Sequence, residues 1–187
     1  MLWVLAQALD GGVNAIQLRE KDLAGKELFL LAEKTRKLTQ RYQASLLIND
    51  RIDVALAVDA DGVQLGKTSM PIQTARDLLG PRRVIGFSTH SLEESREAEQ
   101  AGANFVLFGP IYFTPSKANF GAPQGPDALK KIVEKIALPV YAIGGINAAN
   151  IAAVRRTGSR GVALISAVMS AADPKDASET ILRLLRR

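Results

Sequence analysis

Several short runs in this chain carry residue types that fold stability alone does not call for. Gln17-Leu18-Arg19-Glu20-Lys21 and Asn49-Asp50-Arg51 each follow directly on an apolar, β-branched segment. Gln17, Arg19 and Lys21 alternate, and a period of two sends all three side chains the same way as long as the strand persists. Two cations and an amide donor converging in one place suit a diphosphate, with arginine gripping oxygens bidentately and lysine acting as a point charge. Asp50 is the best candidate metal ligand, because magnesium held with a phosphorylated substrate needs only one or two carboxylates. The competing reading makes Asp50 the N-cap of the helix that follows. A long loop, Gly109–Gly125, is rich in glycine and proline, and Thr114, Ser116 and Lys117 offer it two hydroxyls and a cation that can close over phosphate oxygens. His90 is the one histidine. Its unperturbed titration near neutrality suits a proton shuttle, but capping of the next helix or a structural role fits equally. Ser88 is the better hydrogen-bond donor to a substrate.

These residues need a scaffold, and the hydrophobic pattern supplies one. Short apolar segments at Val13–Leu18, Ser45–Ile48, Gly62–Leu65, Val84–Phe87, Phe105–Phe108, Val140–Ile143 and Gly161–Ile165 predict strands buried on both faces. Between them, helical periods run over Gly25–Tyr42, Asp53–Val58, Ile72–Leu79, Leu92–Ala101, Pro126–Ile136, Ala148–Arg156 and Pro174–Arg186. Repeated βα units imply a parallel sheet covered by helices, an α/β fold. No G-x-G-x-x-G turn follows an early strand, which disfavours a dinucleotide-binding sheet. A repeat of about 20–25 residues suits a (β/α)8 TIM barrel, here over one domain spanning residues 1–187. In such barrels the active site lies at the C-terminal strand ends. Gly144-Gly145 and Ile165-Ser166 then fall after the last two strands, where phosphate is commonly held by backbone N–H groups and a helix N-terminus.

The chain opens on a helix-like segment, Met1–Leu9, with no strand ahead of it. The expected fold is therefore a TIM barrel lacking its first N-terminal strand. A misassigned start site or an open barrel would account for the same pattern. The apolar residues at Met1–Leu5 mark either a contact in a homo-oligomer or the place of that strand.

The 187 residues, 47% hydrophobic and 23% charged, have a globular and not a disordered composition. No apolar run approaches the roughly 20 residues of a membrane helix, and the N-terminus lacks the basic region of a signal peptide. The absence of cysteine excludes disulfides and thiolate metal sites, and makes the cytoplasm the expected compartment. A net charge of +5 fits phosphorylated small molecules. The cations are scattered over helical stretches without interleaved aromatics, so nucleic acid is not an expected partner.

In order along the chain, QLREK, NDR, DGVQLG, IGFSTHS, FGPIYFTPSK, AIGGI and VALISA resemble the thiamine phosphate synthase family and its sister group, the TenI-like thiazole tautomerases. The resemblance spans Gly11 to Ala167. It implies a transferase of thiamine biosynthesis that joins hydroxymethylpyrimidine diphosphate to a thiazole phosphate and releases pyrophosphate. By motif, Gln17, Leu18, Arg19, Glu20, Lys21, Asn49, Ser88 and Lys117 would hold the pyrimidine diphosphate. Thr114, Pro115, Ser116, Gly144, Gly145, Ile165 and Ser166 would hold the thiazole phosphate. Arg19, Lys21, Ser88, Lys117 and His90 would take part in catalysis, and Asp50 and the position of Ser69 would bind Mg2+. In the synthases the stretch after the VQLG strand is usually G-Q-x-D, and its aspartate is a second magnesium ligand. Here it reads Gly66-Lys67-Thr68-Ser69, so magnesium affinity is expected to fall while Lys67 replaces part of the lost charge. This departure keeps two alternatives open: a tautomerase using His90 as acid–base, and a non-catalytic relative that binds phosphorylated ligands.

Overall fold

The structure, a computed structural model, describes residues 1–115 and 122–186. Seven strands, β1 (Ala15–Leu18), β2 (Ser45–Asn49), β3 (Gly62–Leu65), β4 (Val84–Thr89), β5 (Phe105–Phe108), β6 (Val140–Ile143) and β7 (Gly161–Ala163), form one sheet in sequence order. Every neighbouring pair is parallel. This is the expected (β/α) barrel-type arrangement of seven strands. No described strand pairs with the outer side of β1 or β7.

The helices are α1 (Leu2–Asp10), α2 (Gly25–Arg41), α3 (Ile52–Ala57), α4 (Ile72–Leu79), α5 (Leu92–Gln100), α6 (Gly125–Lys135), α7 (Ile151–Arg155), α8 (Ser166–Met169) and α9 (Pro174–Arg186). Helix α2 buries Leu28, Ala32, Thr35 and Thr39, a three-to-four spacing that makes one apolar stripe. Its two threonines reach that stripe because their hydroxyls donate to the Leu31 and Arg36 carbonyls. Helix α5 starts where Ser91 accepts the Glu94 N–H at 3.1 Å, with Glu93 and Glu94 in the first turn complementing the helix dipole. Helix α1 buries Leu5, Ala8 and Leu9 and packs against α9. Of the apolar Met1–Leu5 segment, Met1 and Trp3 stay exposed.

The two faces of the sheet differ. Leu46, Ile48, Val63, Leu65, Ile85, Val106 and Phe108 are almost fully buried, in one cluster with Ala32, Ala55, Ala75, Leu129, Ile151 and Val154 of the helices. On the alternate positions Gln17, Leu47, Asn49, Phe105, Tyr141 and Ile143 are only half-buried. The expectation of burial on both faces therefore holds for the helix side and not fully for the interior.

Several boundaries shift. Strand β1 begins at Ala15 instead of Val13 and ends at Leu18 as expected, and residues 21–23 form a bend, so Arg19 and Lys21 do not continue the strand. The apolar run at Gly161–Ile165 predicted one strand, but β7 stops at Ala163 and α8 begins at Ser166. A four-residue helix is too short to leave a period in the sequence. Helix α7 spans Ile151–Arg155 and omits the first residues of the expected Ala148–Arg156.

Within the interior face, Gly86 pairs in register with Gln64 on one side and Phe105 on the other. A methyl group at Gly86 would overlap both the Gln64 amide and the Phe105 ring edge. The missing side chain is thus the space those two residues occupy, and Phe105 in turn meets Tyr141 edge-on at 5.4 Å. Gly86→Ala should destabilise the protein by roughly 1–3 kcal/mol through overpacking. Thermal unfolding should show a midpoint lower by about 2–4 °C per kcal/mol. An unchanged midpoint would refute this packing.

Candidate active site

The exits of β1 to β4 are joined by a continuous chain of hydrogen bonds. Gln17 Nε2 donates to Asn49 Oδ1 at 3.1 Å, and Asn49 Nδ2 donates to Asp50 Oδ2 at 2.8 Å. The other Asp50 oxygen accepts a hydrogen bond from the Ser69 hydroxyl. Ser69 Oγ also accepts the Gly66 N–H at 2.7 Å, so its own proton is the one donated to Asp50. The Asp50 N–H donates to the Gln64 carbonyl at 3.0 Å, and Gln64 Nε2 donates to Ser88 Oγ at 2.9 Å. Since Gln64 fills the acceptor role of Ser88, the serine proton remains available to a ligand. Asp50 has a φ of 61°. Short polar side chains that bond locally adopt this left-handed geometry more readily than others. Its carboxylate is thereby turned towards Asn49 and Ser69 instead of capping α3, whose N-cap is Arg51 with no side-chain capping bond. The structure thus excludes the capping role for Asp50. Arg51 donates to Asp53 at 2.8 and 2.6 Å, which holds the Asp53 carboxyl below its ordinary range and raises the guanidinium.

Arg19, Glu20 and Lys21 are exposed just beyond β1. Leu18 is 3% exposed and belongs to the core, so only its backbone faces the exit. His90 does not cap α5, a role Ser91 fills. Its Nδ1 bonds the Gly109 carbonyl. A carbonyl only accepts, so this bond places the ring proton on Nδ1 and leaves Nε2 as the basic nitrogen. The His90 backbone N–H donates to Glu94 Oε2 at 2.7 Å.

On the other side of the sheet, the β5 and β6 exits lock together. Ile111 and Tyr112 donate backbone N–H groups to the Ile143 and Gly144 carbonyls at 2.9 and 3.0 Å. Gly144 and Gly145 have φ of 97° and 65°. A Cβ at Gly145 would lie 2.5 Å from the Phe113 carbonyl oxygen, so only glycine lets the two loops approach. Thr114 is half-buried and Pro115 exposed at the end of the described part of this loop. Ser116 and Lys117 lie outside the described residues. Ile165 and Ser166 are exposed, with Ser166 as the first residue of α8.

Two participants were not singled out from the sequence. Gln64 was hidden inside an apolar strand, although a lone amide in Gly-Val-Gln-Leu is the available signal. Glu94 was legible as the last residue of a Ser-x-x-Glu capping box.

The carboxylate of Asp50 and the hydroxyl of Ser69 are oxygen ligands of the type a hard cation takes, set side by side with the Ser69 proton between them. No group of three or more His, Cys, Asp or Glu residues comes together among the described residues. Magnesium held here would find one carboxylate and one hydroxyl of the protein and would take its other ligands from a phosphorylated substrate and water.

The comparisons with known proteins converge. The family model for thiamine monophosphate synthase matches residues 1–168. A thiamine-phosphate synthase from Clostridium novyi is 44% identical over 177 residues, covering 95% of this chain and 87% of that protein. One from Pyrococcus abyssi is 46% identical over 179 residues, covering 96% and 86%. The solved structure of thiamine phosphate pyrophosphorylase from Pyrococcus furiosus superposes with a TM-score of 0.92 at 43% identity, covering 99% of this chain and 89% of that one. By these matches, which span nearly its whole length, the chain belongs to the thiamine monophosphate synthase family.

Proposed function

We propose that the chain is a thiamine-phosphate synthase, a transferase that joins hydroxymethylpyrimidine diphosphate to thiazole phosphate. One observation carries this reading beyond family membership. Gln17, Asn49, Asp50, Ser69, Gln64 and Ser88 form one hydrogen-bonded array at adjacent strand exits, with Arg19 and Lys21 exposed beside it. This array is rich in amide and hydroxyl groups and offers no activated nucleophile, as a reaction driven by departure of a diphosphate requires.

In the reaction, the bond between the pyrimidine methylene carbon and the diphosphate oxygen breaks, and its electron pair leaves with the diphosphate. The thiazole nitrogen lone pair forms the new carbon–nitrogen bond, so no protein group needs to gain or lose a proton. Arg19 and Lys21 take up the negative charge that develops on the leaving group. Ser88, fixed by Gln64, donates its hydroxyl proton to that substrate, and Asn49, fixed by Gln17, orients it. The glycine-lined exits at Gly144 and Gly145, with Thr114, Ile165 and Ser166, hold the thiazole phosphate through backbone N–H groups, while Pro115, which has no N–H to donate, shapes the loop beside them. By motif, Ser116 belongs with the thiazole phosphate group and Lys117 with the pyrimidine diphosphate group, though both lie outside the described residues. Asp50, with Ser69 beside it, would hold magnesium. When bound, that ion adds positive charge to the diphosphate and lowers the cost of its departure. The cysteine-free composition supports a cytoplasmic setting.

The tautomerase reading has one observation of its own, the His90 ring fixed with Nε2 as its base. It leaves the array from Gln17 to Ser88 without a task, and so ranks second.

Purified protein given both phosphorylated substrates and magnesium should form thiamine phosphate, detected chromatographically. Absence of product at every magnesium level would refute the synthase. Arg19→Ala should lower kcat/KM by roughly 100-fold, as expected for removal of a preorganised contact to developing charge. Ser69→Asp should reduce the magnesium concentration that gives half-maximal rate, because it adds the second carboxylate. If instead His90→Ala abolishes isomerisation of a thiazole phosphate carboxylate by a protein that makes no thiamine phosphate, the tautomerase reading takes over.

A further inference from the structure

We infer that Lys67 is a diphosphate-binding residue that supplies part of the positive charge a second metal-binding carboxylate would otherwise recruit. Residues Gly66 to Ser69 form a tight turn, closed by the Ser69 N–H donating to the Gly66 carbonyl at 2.9 Å. The turn is fixed at its far end by the Ser69 hydroxyl on Asp50 and the Gly66 N–H on Ser69 Oγ. Lys67 is the first central residue of that turn. The geometry that seats Ser69 on the Asp50 carboxylate therefore also plants a lysine backbone at the edge of the same array.

The side chain is free to serve it. Lys67 is 83% exposed, and its ion pair is a loose one, 3.8 Å from Glu94 Oε1. Glu94 is shared, since its other oxygen accepts the His90 N–H. Exposed pairs of this kind contribute little, so the ammonium exchanges readily from Glu94 to a more highly charged anion. That pair bridges the β3 and β4 exits, which brackets the flank of Ser88. Meanwhile the metal side of the array is poor. Asp50 is its one carboxylate, and both of its oxygens already accept hydrogen bonds from neutral donors, Asn49 and Ser69. A cation entering here must compete with the Ser69 proton. An ammonium carried by the chain beside a carboxylate so engaged shifts the work of neutralising a diphosphate from bound metal to protein.

The inference takes its ligand from the synthase reading, but its test does not depend on turnover. Binding of inorganic pyrophosphate is measured by calorimetry, once in EDTA and once in saturating magnesium, for the unmodified chain, Lys67→Ala and Lys67→Arg. In EDTA the unmodified chain should bind, and Lys67→Ala should bind about tenfold more weakly, the loss of one charge-assisted contact. Lys67→Arg should retain binding, and saturating magnesium should shrink the deficit of Lys67→Ala to about threefold or less. Three results would each overturn the inference. These are no binding by the unmodified chain in EDTA, equal affinity of Lys67→Ala in EDTA, or the same loss with and without magnesium. Thermal unfolding of each variant checks that an exposed substitution has left the fold intact. A chain that binds pyrophosphate through Lys67 yet forms no thiamine phosphate would sink the proposed activity and not this contact.

Discussion

Everything at the site depends on the strands being parallel. In a parallel ladder every strand presents its C-terminal end on the same side, and each must be reached by a crossover that packs a helix on the sheet. Residues as far apart in sequence as Gln17 and Ser88 therefore emerge together, provided that the register holds. It does hold: Asn49 pairs with Gln64, and Gln64 with Gly86, so the amide side chains of successive strands fall within reach of one another. A one-residue slip would send each of them to the helix side, among Ile48, Val63 and Ile85. The apolar helix face thus fixes the polar interior face.

The interior carries a cost for this arrangement. Gln64 is 1% exposed, and its Oε1 has no hydrogen-bond partner. A buried acceptor left unpaired opposes folding by roughly 1–3 kcal/mol. In return the Gln64 amide nitrogen fixes Ser88, and the glycine at position 86 makes room for the amide. A leucine at position 64 would serve packing better and leave Ser88 unoriented. The helix-facing core, with Leu46, Ile48, Val63, Ile85 and Val106 all at 0% exposure, is large enough to carry that cost.

Much of this was legible in the sequence, for a physical reason. Strands buried under helices must be apolar, so polar residues at their ends stand out, and that pattern located Gln17, Asn49, Asp50 and Ser88 together with the barrel-type fold. What was not legible depends on single dihedrals and on short elements. The left-handed backbone at Asp50, which turns its carboxylate onto Ser69, has no signature in composition. Helix α8 has four residues, fewer than the period needed to see it, and its β-branched approach reads as strand. The path beyond β1 is equally silent: its end at Leu18 was legible, but Arg-Glu-Lys continues a strand or a bend with equal ease.

On the synthase reading, the two halves of the site also divide the electrostatics by what each phosphate does. The thiazole phosphate keeps its charge from substrate to product, so binding it lowers KM without favouring the transition state. Neutral backbone donors at Gly144, Gly145 and the start of α8 suffice for that task, and they do not hold the product by full charges. The diphosphate gains charge as its bond to carbon breaks, so an interaction there strengthens along the reaction and accelerates it. The full charges of Arg19 and Lys21 lie on that side, exposed beside the fixed array. Placing cations where charge grows and dipoles where it stays constant directs binding energy to the step that needs it. It also explains why a serine at position 69 is tolerable. The exits of β1 to β4 can gain charge neutralisation from any nearby cation, whereas the glycine exits admit no substitute for a close backbone approach.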